Sequence, residues 1–158
     1  MQVDQNVSIR PTEAADLDVL FEFQQEPEGA AMAAFPPRDR DTYFAHHEKI
    51  SADPANYLRT IVVDGEVAGN VGSWPQADQR LVGYWVGQAY WGRGVATAAL
   101  RLFLDEVTER PLFGFVAVHN VGSIRVLEKC GFRRVEPKEG ESRAGDDGIA
   151  EVLLVLEG

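Results

Sequence analysis

Apolar and polar residues alternate through Val7-Ser8-Ile9-Arg10 and the run ends at Pro11, the period of a half-buried first strand. Thr12 is placed to cap a helix, with Glu13 and Asp16 in its first turn. Leu17, Leu20, Phe21 and Phe23 supply that helix with an apolar face, and Pro27 and Gly29 are expected to stop it. Residues 30–37 read as a loop or a short helix broken at Pro36-Pro37. A second helix over about 40–51 sets Tyr43, Phe44 and His47 on one side. Two apolar runs, Leu58 to Val63 and Glu66 to Trp74, flank Asp64-Gly65, a strong hairpin signal. Leu81 to Val86 follows as a further strand after a turn at Pro75–Arg80.

Helical spacing returns over 94–109, with Val95, Ala98, Ala99, Leu102, Phe103 and Val107 on one stripe. Leu112 to Val118 reads as a buried strand. Asn120 opens a short helix that ends at Gly131. Residues 136–148 form a Gly-rich, charged loop, and Ile149 to Leu156 is the last strand. The order β-α-α-β-β-β-α-β-α-β-β predicts an α/β fold with a mixed sheet, not a doubly wound series. No repeat or low-complexity tract divides residues 1–158, and the length suits one domain.

Charge narrows the classes of partner. Twenty-five acidic against 15 basic residues give a formal net charge of −10. A general nucleic-acid binder needs a basic face, so that class is disfavoured. An acidic chain suits plain solubility first, and a cationic acceptor such as an amine second. The single Cys130 excludes an internal disulfide and a multi-cysteine zinc site, and no metal centre is expected. No apolar run is long enough to span a membrane and no signal peptide is visible, which fits a reducing cytoplasm.

The candidate chemistry lies where strand 81–86 passes through Gly87-Gln88-Ala89-Tyr90 into Trp91-Gly92-Arg93-Gly94-Val95-Ala96-Thr97 and a helix begins. A helix start presents unpaired N–H groups and the positive end of the macrodipole, and glycines let a bulky anion approach them. Such a turn can cradle a pyrophosphate; it can also be a tight strand-to-helix turn with no ligand. A P-loop would end in Gly-Lys-Ser/Thr, which is absent. A dinucleotide fingerprint would carry glycine where Thr97 stands and would open a βαβ unit.

Gly83-Tyr84-Trp85-Val86 … Tyr90-Trp91-Gly92-Arg93-Gly94-Val95-Ala96-Thr97 resembles the GNAT acetyltransferase superfamily, in particular its RimJ/RimL-like N-acetyltransferase branch. Gly94 and Ala96 match the last fixed positions of its pyrophosphate motif, and Trp91 stands where Arg or Gln is usual. Asn120-Val121-Gly122-Ser123 … Leu127-Glu128-Lys129-Cys130-Gly131-Phe132 is similar to a second segment of that branch. Ser8-Ile9-Arg10-Pro11 and Asp16-Leu17 fit as well. The resemblance implies a central sheet splayed between strands 4 and 5, flanked by about four helices. It implies acetyl-CoA as cosubstrate, with its pantetheine arm on backbone at Trp85, Val86 and Gly87. Gly92 and Arg93 to Thr97 would hold the pyrophosphate, and Asn120 would contact the arm near the thioester. Relatives form dimers, although no seam in this chain announces a homodimer.

Acetyl transfer requires a neutral amine, a polarised thioester carbonyl and a stabilised leaving thiolate. The resemblance makes the backbone N–H of Val86 the carbonyl polariser. Ser123, one helical turn beyond Asn120, is the candidate for the thiolate; its other reading is a plain third helix position behind an Asn120 cap. Many family members place a tyrosine seven residues after the asparagine, where this chain has Leu127. Many also carry a glutamate before Gly-Tyr-Trp, where this chain has Arg80-Leu81-Val82. Glu22, Glu26 and His119 are candidate bases, each also readable as structural or solvated. His46-His47 reads as surface and partial core, and Cys130 as a structural thiol. Phe35, Trp74 and Tyr84 are the candidates for an acceptor pocket, with a loop at Gly140–Gly148 on its other side. The acceptor is an amine, either a protein N-terminus or a small molecule. The alternative function is a non-catalytic acyl-CoA-binding or sensing domain on the same fold.

Overall fold

A computed structural model describes residues 6–33, 38–136 and 150–158. Seven strands form one sheet in the order β1-β2-β3-β4-β5-β7-β6. They are β1 (Val7–Pro11), β2 (Tyr57–Val63), β3 (Glu66–Gln76), β4 (Gln79–Val86), β5 (Leu112–Ala117), β6 (Arg133–Val135) and β7 (Glu151–Leu156). Neighbours are antiparallel except β4 and β5, which run parallel. Five α-helices are described: α1 (Leu17–Gln24), α2 (Pro27–Ala33), α3 (Arg40–Ser51), α4 (Val95–Glu106) and α5 (Val121–Lys129). Two 3-10 turns, Ala14–Asp16 and Gln88–Tyr90, add to them. The mixed α/β sheet matches the sequence expectation, with one helix more than the four expected.

Helices α4 and α5 cover one face of the sheet. Val95, Ala99, Leu100, Phe103 and Leu104 of α4 are buried there. They join Ile61, Leu112 and Leu154 in a core from which Phe103 and Leu100 are fully excluded from solvent. Leu102, expected on the buried stripe, is exposed. Helix α4 ends at Glu106, three residues early, because Val107 turns extended and buries its side chain. The Arg110 guanidinium donates to the freed Val107 carbonyl at 2.9 Å, doing what another helical turn would have done.

Other boundaries move for equally local reasons. Thr12 does not cap α1; its N–H donates to the Leu58 carbonyl at 3.3 Å and extends the pairing of β1 with β2. Asp16 stands at the N-cap position of α1 without a side-chain cap bond; its Oδ2 accepts from the Glu13 N–H at 2.8 Å, which closes a capping box on the Ala14–Asp16 turn. Helix α1 ends at Gln24, ahead of Pro27 as expected, but Pro27 then starts α2, since proline lacks only an N–H that a first helical turn leaves unpaired, and Gly29 falls inside that helix. The broad turn expected at Pro75–Arg80 shrinks to Ala77-Asp78, because β3 and β4 stay paired out to Gln76↔Gln79. Pro75 is tolerated there because it lies beyond the last β2 partner, Tyr57↔Ser73, where a missing N–H breaks no ladder bond. Asp39 caps α3 as its side chain accepts from the Thr42 N–H at 2.8 Å. No described helix is long and apolar enough to cross a membrane.

Helices α1 to α3 lie on the opposite face, where an ion pair between a half-exposed arginine of β1 and a buried aspartate ties the start of α1 to the sheet. Asp16 is 3 % exposed. It receives both guanidinium nitrogens of Arg10 at 2.8 Å each, and the Thr60 hydroxyl at 2.8 Å. The Arg10 fork holds the Asp16 carboxyl down to about 2, with backbone and Thr60 hydrogen bonds assisting against the opposing effect of burial. Relative to a free carboxyl at 3.8, the shift is worth about 2 kcal/mol. That stabilisation is complete above pH 4 and is lost as pH falls through about 2. Asp16→Asn is expected to cost about 3 kcal/mol at pH 7. Urea denaturation at pH 7 and below pH 3 checks this: the gap between wild type and variant narrows in acid.

Candidate functional site

The parallel ladder between β4 and β5 holds at Arg80↔Leu112 and Leu81↔Phe113 and goes no further among the described residues. Beyond it the two strands separate, so the sheet is splayed between strands 4 and 5 as expected. Alternation decides which β4 groups face the gap. The Gly87 N–H donates to the Ala68 carbonyl of the β3 side at 2.8 Å. Two residues back, the Trp85 carbonyl lies against Gly69 of β3. Tyr84 and Val86 therefore turn their backbone groups toward the splay. Of the three backbone positions implied by the family resemblance, Val86 faces the opening, while Trp85 and Gly87 direct theirs to β3.

Side chains alternate across the sheet too. Tyr84 reaches the α5 side. Trp85 reaches the α1 side, where its indole N–H donates to the Phe23 carbonyl at 3.3 Å. A cavity of about 490 Å³ passes through the splay and is lined from both faces. Gly29 and Met32 of α2 stand on one side; Asn120 and Ser123 stand on the other.

The chain leaves β4 through the Gln88–Tyr90 turn and reaches α4 through Gly92 and Gly94, at φ of 73° and 74°. That is the left-handed region where a side chain would be strained, and a Cβ at either glycine would meet open space. Gly94 is the N-cap, and no side chain caps α4. The N–H groups of Val95, Ala96 and Thr97 thus open the helix onto the cavity those residues line. By contrast, α5 is capped: Asn120 Oδ1 accepts from the Ser123 N–H at 3.3 Å. Trp91, the departure from the usual motif, has a structural reason. Its indole N–H donates to the Val86 carbonyl at 2.9 Å and pins the turn to the end of β4.

The cavity gathers Tyr84, Trp85, Val86, Gly92, Gly94, Val95, Ala96, Thr97, Asn120 and Ser123. It does not gather every candidate. The Arg93 guanidinium lies 5.4 Å from the Tyr90 ring centre, outside the lining. Trp74 lies across Gly83, away from the cavity. Phe35 and the Gly140–Gly148 loop lie outside the described residues.

Two cations at the cavity escaped the sequence reading. Arg125 and Lys129 line it from α5. With Gly122 and Val126 they fall at i, i+3, i+4 and i+7, one helical stripe, and that periodicity was the available signal. They make this cavity locally basic in an acidic chain.

The Tyr84 phenol was also missed as a partner of Ser123. Its oxygen lies 2.6 Å from Ser123 Oγ and 3.2 Å from the Ser123 carbonyl. Burial pushes the phenol up to about 12, so it keeps its proton through the neutral range.

Two of the three candidate bases, Glu26 and His119, are engaged elsewhere. Glu26 Oε1 accepts from the Gln88 N–H at 2.9 Å. His119 Nε2 donates to the Ala31 carbonyl at 2.8 Å, joining the end of β5 to α2. His46 and His47 lie on α3, and burial lowers both. Cys130 is half-buried and burial raises its thiol, as suits an unreactive side chain.

The sequence matches a family model described as "Acetyltransferase (GNAT) domain" over residues 6–133. A curated relative, the probable N-acetyltransferase YjcK of Bacillus subtilis (strain 168), is 39% identical over 67 residues. That stretch is 40% of this chain and 35% of the relative, so the match spans about a third of that protein's length. The fold matches spermidine N-acetyltransferase from Vibrio cholerae with a TM-score of 0.79 at 15% identity, covering 96% of this chain and 95% of that one. It matches Mycobacterium smegmatis RimJ with a TM-score of 0.78 at 21% identity, covering 96% and 82%. The family model covers the sheet from β1 to the first residue of β6 together with the helix start after β4, and this chain belongs to the GNAT acetyltransferase family.

Proposed function

We propose that this chain transfers an acetyl group from acetyl-CoA to an amine by direct attack within the splay. One observation carries the reading: a single cavity joins the uncapped start of α4 to the backbone edge of β4 released from β5. The first feature suits a pyrophosphate, because several N–H groups converge at the positive end of a 12-residue helix. The second suits an extended chain carrying amides, because a released strand edge offers alternating donors and acceptors. Coenzyme A has both parts. The fold relatives agree in kind: the Vibrio cholerae structure holds CoA with spermine, and the Mycobacterium smegmatis one holds CoA-disulfide.

The residues divide the work by position. Gly92 and Gly94 keep the approach clear, and the Val95 to Thr97 N–H groups receive the phosphates. Arg125 and Lys129 add positive charge along the same wall. The Val86 N–H faces the gap and is placed to polarise the thioester carbonyl. Ser123 stands where its hydroxyl can donate to the leaving sulfur. The α2 side, with Gly29, Met32 and Trp85, is where the amine enters. The acceptor is a small amine or a protein N-terminus, in keeping with the RimJ/RimL-like motifs.

A second reading has its own support. Arg80-Leu81-Val82 carries no carboxylate before Gly83, Leu127 replaces the usual tyrosine, and Glu26 is held by Gln88. These features suit an acyl-CoA-binding domain without turnover. Thiol release from acetyl-CoA across a panel of polyamines, aminoglycosides and N-terminal peptides separates the two. Acceptor-dependent CoA release supports the enzyme; binding without release supports the second reading; no binding overturns both.

Gly94→Leu places a strained side chain over the α4 start and is expected to abolish CoA binding by calorimetry. Affinity equal to wild type would remove the cradle from the model of the site. Ser123→Ala is expected to lower kcat about 30-fold while the Kd for acetyl-CoA changes less than about three-fold. Steady-state kinetics paired with calorimetry checks that split, and an unchanged kcat across pH 6–9 removes Ser123 from the chemistry.

A further inference from the structure

We propose that Tyr84 is a positioning residue whose phenol sets the Ser123 hydroxyl hydrogen toward the sulfur of bound coenzyme A. The inference rests on the acetyl-CoA reading above and extends it to a residue outside the glycine turn.

The Tyr84 hydroxyl meets Ser123 at two atoms: Oγ at 2.6 Å and the carbonyl at 3.2 Å. Each hydroxyl carries one hydrogen, so the pair has two arrangements. In one, the phenol donates to the Ser123 carbonyl and accepts from Ser123 Oγ, which turns the serine hydrogen away from the cavity. In the other, the phenol donates to Ser123 Oγ, and the serine hydrogen is released toward the cavity that both residues line. A sulfur bearing negative charge is the acceptor that favours the second arrangement.

The surroundings fix this geometry. Tyr84 stands on β4, paired with Val71 of β3. Ser123 stands in the first turn of α5, held by the Asn120 cap. Neither needs to move for the hydrogens to reverse. Leu127 cannot substitute, because its side chain has no donor and is buried against Gly114 of β5. The phenol, raised by burial, gives up no proton of its own and serves only to donate a hydrogen bond. In the transfer, the amine lone pair forms the C–N bond and the C–S bond breaks with its electron pair going to sulfur. The proton shed by nitrogen leaves to solvent. Ser123 donates a hydrogen bond to the thiolate, and Tyr84 donates one to Ser123.

The test compares CoA with desulfo-CoA, which lacks the sulfur, by calorimetry at pH 8. Wild type is expected to prefer CoA. Tyr84→Phe and Ser123→Ala are each expected to lose about ten-fold of that preference while binding desulfo-CoA as wild type does. The double variant is expected to lose no more than Ser123→Ala alone, since the phenol acts only through the serine. With an active acceptor, Tyr84→Phe lowers kcat about ten-fold and leaves KM for acetyl-CoA within about two-fold. Additive losses, an unchanged preference for CoA in Tyr84→Phe, or an equal loss of desulfo-CoA affinity overturns the inference. Failure of the wild-type chain to bind either compound overturns the acetyl-CoA reading instead, and this inference falls with it.

Discussion

Everything at the site depends on a ladder that stops. Strands β4 and β5 pair at Arg80↔Leu112 and Leu81↔Phe113, then part. The early strands and the late strands are each held by their own antiparallel pairing, so the parting does not unravel the sheet. The connection from β4 to β5 runs through α4, whose Leu100 and Phe103 are wholly buried. That core holds the two halves together from one face. The opening is thus kept by structure on either side of it, with the turn into α4 at its rim.

The sequence made this frame legible to different depths. Period-two runs and Asp64-Gly65 located the strands, and the 3.6-residue stripe of α4 located the main core helix. The glycine turn located the helix start. What periodicity could not show was which side chains meet across the sheet. Tyr84 and Ser123 are 39 positions apart, and their contact depends on the register of β4 and the cap of α5 together. Pro27 was legible as a stop and not as a start, because the same missing N–H suits the end of one helix and the first turn of the next. Thr12 misled because its backbone was already taken by β2. Leu102 misled because the stripe that α4 buries runs through Val95, Ala99, Leu100, Phe103 and Leu104, one position round the helix from the one the spacing suggested.

Electrostatics reads differently at the whole-chain and local scales. The net charge of −10 describes the surface at large. At the cavity, Arg125 and Lys129 and the N-terminal end of α4 reverse the sign over one wall. The Arg10–Asp16 pair lies on the other face and is almost entirely satisfied within itself: two guanidinium nitrogens, a backbone N–H and a hydroxyl share one carboxylate. It anchors α1 to β1 and β2. The carbonyl of Phe23 at the end of α1 then receives the Trp85 indole beside the splay.

The β4 edge that the splay releases is a strand edge in the middle of a sheet. Exposed edges are where foreign strands add and aggregation begins, and proteins usually blunt them with charge, proline or a bulge. This one carries Val82, Tyr84 and Val86, residues that favour strand pairing. Its protection is its position: α2 and α5 stand at the two mouths of the gap, and β5 faces it from the far side. A strand from another molecule would have to pass between the helices, whereas a thin, flexible chain can thread in. The passage that suits the proposed coenzyme A arm is thus also what shields a released strand edge from foreign strands.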